Sequence, residues 1–77
     1  MTDTREMKAM LVRKGMTAEK TAELIGISAQ SMSYKLNNKR EFTGTEIMKL
    51  SKVLNLTNDE VFQIFFTNKV EESATRG

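Results

Sequence analysis

The sequence predicts an all-α domain built from five short helices. The 77 residues include no proline and only four glycines, and these two residue types disfavour a helix interior most strongly. Apolar side chains recur at spacings of three and four residues in five separate stretches, which is the helical repeat. Residues typical of helix ends bound these stretches, and a chain of this length holds a single domain.

The first helix is predicted over residues 3–14. Met7, Met10 and Leu11 fall on one face of that helix, so they are candidates for the core. Gly15 follows the last periodic residue, and glycine commonly lies just past a helix end. This stretch therefore predicts one amphipathic helix of about three turns.

The second and third helices are predicted over residues 18–25 and 29–36. Thr17 and Ser28 are the N-cap candidates, because their hydroxyl groups can accept a backbone N–H at a helix start. Gly26 stops the second helix, so a glycine stop and a serine start are separated by a single residue. That spacing predicts two helices set at an angle rather than one broken helix.

The inward faces of these two helices follow from their spacing. The second helix is expected to bury one face, formed by Ala18, Thr21, Ala22 and Ile25. Met32 and Leu36 lie one turn apart on the third helix and are expected to face the core. Asn38 is expected to end the third helix, because asparagine takes the left-handed conformation almost as glycine does.

The fourth and fifth helices are predicted over residues 44–54 and 58–66, each opened by a capping box. The two boxes are Thr43 with Glu46 and Thr57 with Glu60. The methionines at positions 7, 10, 32 and 48 are interpreted as core residues. Residues 67–77 have little to bury, so the sequence predicts one domain over residues 1–66 and a flexible tail over 67–77.

Composition argues against several classes of protein. The chain contains no cysteine and no histidine, which removes disulfides, thiolate metal sites and the usual general base. We therefore expect no catalytic residue, no metal, no cofactor and no small-molecule substrate. No apolar run approaches the roughly 20 residues that span a bilayer, and the first ten residues do not resemble a signal peptide. We expect a cytoplasmic protein without a membrane partner.

The charge is unevenly distributed along the chain. The formal net charge is only +2, yet residues 1–41 carry eight basic and five acidic side chains, against four and five in residues 42–77. Residues 28–40 contain Lys35, Lys39 and Arg40 and no acid. A local basic surface of this kind indicates a negatively charged partner, although a solvated helix face would have the same composition.

The helical hairpin resembles the helix-turn-helix of the phage Cro/repressor-type family. The residues that match its pattern are Ala22, Gly26, Ile27, Ser28 and Met32, and the likeness covers residues 7–65. It implies a compact five-helix domain of the lambda-repressor type, in which the second and third helices bind DNA. The chain departs from the family at Ala18, where glutamine often binds a phosphate, and at Thr21, Lys35 and Asn38.

Within this pattern, the third helix carries the candidate site. Residues expected to read base edges in the major groove are Ala29, Gln30, Ser33 and Tyr34. Residues expected to contact phosphates are Thr17, Ser28, Lys35, Asn37, Asn38, Lys39 and Arg40. Phosphate contacts would set the register on the duplex, and base contacts would select the sequence.

These observations predict a sequence-specific transcriptional regulator that occupies a double-stranded operator, similar to a short phage or prophage repressor or Cro-like protein. Phe62, Phe65 and Phe66 exceed what one short helix can bury, so they are candidates for a homodimer surface that would suit a palindromic operator. The alternative is an antirepressor or adaptor that uses the same fold to bind another regulatory protein. Ala18 and the modest net charge favour that alternative.

Overall fold

Five α-helices form from these stretches in the computed structural model, which describes residues 2–66 of the chain. The helices are α1 Thr4–Arg13, α2 Ala18–Ile25, α3 Ala29–Leu36, α4 Gly44–Val53 and α5 Asn58–Phe65. No strand occurs between residues 2 and 66. The predicted all-α class and the number and order of the helices are confirmed, and the predicted tail over 67–77 lies outside the described residues.

The helix starts are capped as the sequence predicts. Thr17 and Ser28 accept backbone N–H groups at 3.1 and 3.0 Å. Thr43 and Thr57 form complete capping boxes, in which the glutamate three residues later accepts the N–H of the cap. Asp3 caps α1, so that helix begins one residue later than predicted. These contacts satisfy N–H groups that would otherwise lack a partner at each helix start.

The ends of α1, α2, α3 and α4 share one geometry. Each is followed by a left-handed residue, with φ of 71°, 83°, 61° and 54° at Gly15, Gly26, Asn38 and Asn55. The next residue in each case donates its N–H to a carbonyl five positions back, as in a Schellman motif. The left-handed conformation predicted at Asn38 is confirmed, whereas the one at Asn55 was not predicted.

The turn between α2 and α3 is tight because Gly26 reverses the chain within one residue. The Gly26 N–H donates to Glu23 at 3.2 Å, and the Ile27 N–H donates to Ala22 at 3.0 Å. Ala22 is buried, and its small side chain lets α3 approach α2 closely. Ser28 then starts α3 at once. The two helices are therefore separate elements, as the glycine and serine spacing predicts.

One apolar core lies among all five helices. Its buried residues are Met7, Met10, Leu11, Ala22, Ile25, Met32, Leu36, Phe42, Leu50, Leu54, Ile64 and Phe65. Thr21 is also fully buried, and its hydroxyl group donates to the Thr17 carbonyl at 2.8 Å. That bond satisfies the buried hydroxyl group, so a polar side chain can occupy a core position of α2.

Two predictions about the core are wrong. Met48 was interpreted as a core residue, but it is 64% exposed on α4 because Ile47 and Leu50 occupy the inward face. Phe65 was assigned to a dimer surface, but it is only 3% exposed and packs edge-to-face against Phe42 at 5.7 Å. Phe42 follows the basic residues of the α3–α4 connection and returns the chain to the core.

Among residues 2–66, no helix combines the length and the apolar character that a membrane crossing requires.

Substitution of Gly26 by alanine should lower the free energy of unfolding by about 1–2 kcal/mol, because a Cβ is unfavourable at φ 83°. The matched control is Gly44→Ala at the first turn of α4, where the added Cβ also meets no atom within 4 Å. That control should be neutral or slightly stabilising. Urea denaturation of both variants measures the difference, and equal stabilities would contradict a strained position at Gly26.

Candidate nucleic-acid interface

Helix α3 has a buried side and an exposed side. Met32 and Leu36 hold the buried side, with exposed fractions of 0% and 6%. The four predicted base-reading residues, Ala29, Gln30, Ser33 and Tyr34, are all exposed and recur at the spacing of one helix face. The structure therefore brings these four residues together on one surface, which we call the α3 face.

The α3 face contains an internal hydrogen bond. The Gln30 side-chain amide donates to the Tyr34 hydroxyl group at 3.1 Å. This bond links residues one helical turn apart and restricts both side chains before any partner arrives. This bond uses only the amide nitrogen of Gln30, so its amide oxygen keeps its capacity to accept a hydrogen bond.

The connection between α3 and α4 places basic side chains next to the α3 face. The Arg40 guanidinium group lies 5.7 Å from the centroid of the Tyr34 ring, within the range of a cation–π contact. Asn37 donates from its side-chain amide to the Ser33 carbonyl at 2.8 Å. Asn38 and Lys39 are exposed in the same connection. Four of the predicted phosphate-contacting residues are thus near one edge of the α3 face.

Two further predicted phosphate contacts lie at helix N-termini. Thr17 and Ser28 are exposed, and each hydroxyl group accepts one backbone N–H of its helix. A hydroxyl group that accepts such a bond keeps its own proton available for donation to an anion. The partial positive charge of the helix N-terminus favours an anion at the same place.

The charge around the α3 face is positive. The sequence contains no acid from residue 24 to residue 40. On α2, the exposed Glu23 lies 4.0 Å from Lys20, a distance at the limit of an ion pair. Lys39 and Arg40 carry two positive charges that the adjacent exposed Glu41 offsets only in part, so an anionic partner would be attracted to this surface.

Lys35 is the predicted phosphate contact that the structure places elsewhere. Its side chain is buried, only 5% exposed, on the inward side of α3 beside Met32. Its ammonium group lies 2.7 Å from a carboxylate oxygen of Glu46 and 3.3 Å from the Glu41 carbonyl. A cation held by a carboxylate inside the domain is not available to a phosphate. This placement corrects the sequence interpretation and also fixes the rotation of α3.

The carboxylate of Glu46 has a double role that sequence reasoning missed. Its Oε1 atom accepts both the Lys35 ammonium group at 2.7 Å and the Thr43 backbone N–H at 2.9 Å. Burial raises the pKa of Glu46, but the bonds from Lys35 and Thr43 outweigh burial, so the net pKa lies below its ordinary value of 4.5. The sequence contains one sign of this ion pair, because Lys35 occupies a position of α3 where an apolar residue is expected. Its partner, Glu46, lies eleven residues further on, so the pairing could not be predicted from α3 alone.

The chain belongs to the family described as "Protein of unknown function (DUF739)", whose model matches residues 1–68. That match includes all five helices and the α3 face. No curated protein and no solved structure matches the chain. The relationship to the Cro/repressor-type family stays a prediction that rests on the residues of the α2–α3 hairpin.

The Lys35–Glu46 pair predicts an acid-dependent stability. Because the folded state lowers the pKa of Glu46, its stabilisation is complete above the pKa of the unfolded chain and is lost as the pH falls through the folded pKa. Glu46→Gln should lower the free energy of unfolding at pH 7 by about 1–3 kcal/mol and should flatten the loss of stability below pH 4.5. Urea denaturation between pH 7 and 3 measures both effects. If the free energy of unfolding of Glu46→Gln fell with decreasing pH as steeply as that of the original protein, this assignment would be contradicted.

Proposed function

We propose that this protein is a sequence-specific regulator of transcription that binds double-stranded DNA. In this proposal, α2 and α3 form a helix-turn-helix, and α3 enters the major groove with the α3 face toward the bases. The observation that supports it most is the α3 face itself. Small and hydrogen-bonding side chains occupy the exposed side of α3, beside Lys39 and Arg40, and α3 itself contains no acid.

The chemistry of the α3 face suits base edges. Gln30 has the donor and acceptor that pair bidentately with adenine N7 and N6. Ala29 offers a methyl group to a thymine methyl, and Ser33 can donate to or accept from a base. Because Gln30 is held by Tyr34 at 3.1 Å, binding would order these side chains at a reduced entropic cost.

The proposed phosphate contacts surround this helix. Lys39 and Arg40 would contact one strand from the α3–α4 connection, and the amides of Asn37 and Asn38 would add hydrogen bonds there. Thr17 and Ser28 would bind phosphates at the N-termini of α2 and α3. Lys35 is left out of this set because Glu46 holds it. At position 18 alanine cannot supply the phosphate contact that a glutamine would.

A short protein with this surface would act by occupying an operator and excluding polymerase, as the likeness to phage Cro and repressor proteins implies. Specificity would come from a small number of base contacts, each worth about 1–3 kcal/mol. Two linked copies of α3 would be needed for high operator affinity, which makes a homodimer part of the proposal.

The proposed dimer surface lies on α4 and α5. Phe62 and Phe66 are 64% and 53% exposed and contact each other edge-to-face at 5.7 Å. A groove of about 270 Å³ lies between the same two helices and is lined by Ile47, Met48, Ser51, Lys52, Asn58 and Val61. Lys52 on α4 and Asp59 on α5 give this surface both charge signs. In the proposed dimer, a second copy related by a two-fold axis would bury Phe62 and Phe66 of both copies.

The first experiment is fluorescence anisotropy of a labelled random duplex titrated with the protein at about 50 and 200 mM salt. The proposal expects binding at the lower salt and a steep loss of affinity at the higher salt, since phosphate contacts release counterions. Absence of binding at both concentrations would contradict it. That result would favour the antirepressor or adaptor function, which a pull-down with another regulatory protein would then test.

Gln30→Ala should weaken binding to a selected operator by about 1–3 kcal/mol and leave random-duplex binding nearly unchanged. Arg40→Ala is the matched control, because loss of a phosphate contact should weaken operator and random duplex alike. Both variants change exposed residues, so stability should not confound the comparison. If Gln30→Ala leaves operator affinity intact, the assignment of Gln30 to base reading is wrong.

The double variant Phe62→Ser/Phe66→Ser should raise the dissociation constant of the dimer more than about tenfold, because two apolar side chains no longer become buried. Val12→Ser is the control, since Val12 is 79% exposed on α1. Sedimentation equilibrium with and without operator DNA measures the association. A dimer that tolerates the double variant would place the interface away from α5.

A further inference from the structure

The connection from α3 to α4, residues 37–43, differs from the other helix ends of similar geometry. After the left-handed residues that end α1, α2 and α4, the next residues are Met16, Ile27 and Leu56, which pack partly buried against the core. At the end of α3 the equivalent residue is Lys39, which is exposed. At this position the connection therefore lacks the apolar contact that the other three have, and its buried apolar residue, Phe42, comes three residues later.

Lys35 contacts this connection through a polar interaction instead. Its ammonium group donates to the Glu41 carbonyl at 3.3 Å, just after the two cations of the connection. It also lies 5.7 Å from the centroid of the Phe42 ring, which is buried in the core. The side chain thus joins the last turn of α3 to the far end of the same connection.

Glu46, on α4, binds both Lys35 and the residue that caps α4. The carboxylate oxygen that accepts Lys35 at 2.7 Å is the one that accepts the Thr43 N–H at 2.9 Å. One oxygen atom therefore holds both the start of α4 and the end of α3. The Lys35–Glu46 ion pair therefore links the two ends of the 37–43 connection.

The energetics of buried ion pairs indicate why the chain has such a pair here. Desolvation of two charges roughly cancels their attraction, so a buried pair seldom adds stability over apolar residues of similar size. The pair has directional bonds, however, and an apolar side chain has none. These bonds connect the end of α3 to Glu41 and Thr43, and Lys39 and Arg40 lie between the connected points.

We propose that Lys35 and Glu46 are positioning residues that hold the 37–43 connection so that Lys39 and Arg40 face the same partner as α3. The proposal rests on the DNA-binding function above for its consequence, and on the contacts of the pair for its mechanism. It gives Lys35 an indirect part in binding: the lysine contacts no phosphate and orients the residues that do.

Amide hydrogen exchange of Lys35→Met tests the mechanism without any DNA. The Lys39 N–H donates to Tyr34 at 2.9 Å, and the equivalent Ile27 N–H donates to Ala22 at 3.0 Å. In Lys35→Met, exchange at Lys39 should accelerate about tenfold, consistent with the loss of a charged hydrogen bond. Exchange at Ile27 should stay unchanged. Equal acceleration at both amides would show a general loss of stability and would overturn the proposal.

Two further variants support that measurement. Lys8→Met on the exposed side of α1 removes the same charge and should leave both amides unchanged. If Lys35→Met does not fold, Lys35→Met/Glu46→Gln replaces it, because that double variant leaves no buried charge without a partner. The double variant should again accelerate exchange at Lys39 alone. Unchanged exchange at Lys39 in the folded variant would overturn the proposal.

Binding to a random duplex tests the consequence through a double-mutant cycle. If Lys35 positions Arg40, then Arg40→Ala should lose most of its effect on affinity in the Lys35→Met background. Additive effects would mean that Lys35 acts independently of Arg40, as a direct phosphate contact would, and would overturn the proposal while the DNA-binding function stands. If the original chain does not bind DNA, the function fails, and the exchange experiment still decides whether the pair fixes the connection.

Discussion

Helix length is the constraint on which this structure depends. The five helices have only eight to ten residues each, and isolated helices of that length are marginal in water. Without a disulfide, each helix persists because its ends are capped and one face is buried against its neighbours. The orientation of α3, and with it the α3 face, is therefore a property of the whole core rather than of α3 alone.

Much of this architecture could be predicted from local sequence, because caps and turns are local interactions. Thr17, Ser28 and the two capping boxes fix four helix starts, and Gly26 fixes the turn between α2 and α3. Asn55 was not predicted as a helix end, although asparagine there gives the same local signal as Asn38 and both residues are left-handed. Met48 was misassigned because an apolar residue at the edge of a helical stripe can lie on either side of it.

The residues of the candidate site also differ in whether local sequence predicts their placement. Ala29, Gln30, Ser33 and Tyr34 share one exposed face because helical periodicity alone places them there. Lys35 could not be placed from its own segment, since its surroundings depend on Glu46, a residue on another helix. Because Lys35 is buried, the positive charge of this surface comes from Lys39 and Arg40, in the connection that Phe42 anchors to the core.

Tyr34 has one more consequence, which concerns its optical properties. It is the only tyrosine of the chain, and there is no tryptophan. Its ring lies on the α3 face, hydrogen-bonded to Gln30 and next to the guanidinium group of Arg40. The intrinsic ultraviolet emission of the protein therefore originates from a single side chain inside the candidate interface. A ligand that stacks on that face or displaces Arg40 changes the emission directly, so the unlabelled protein contains its own reporter of events at this surface.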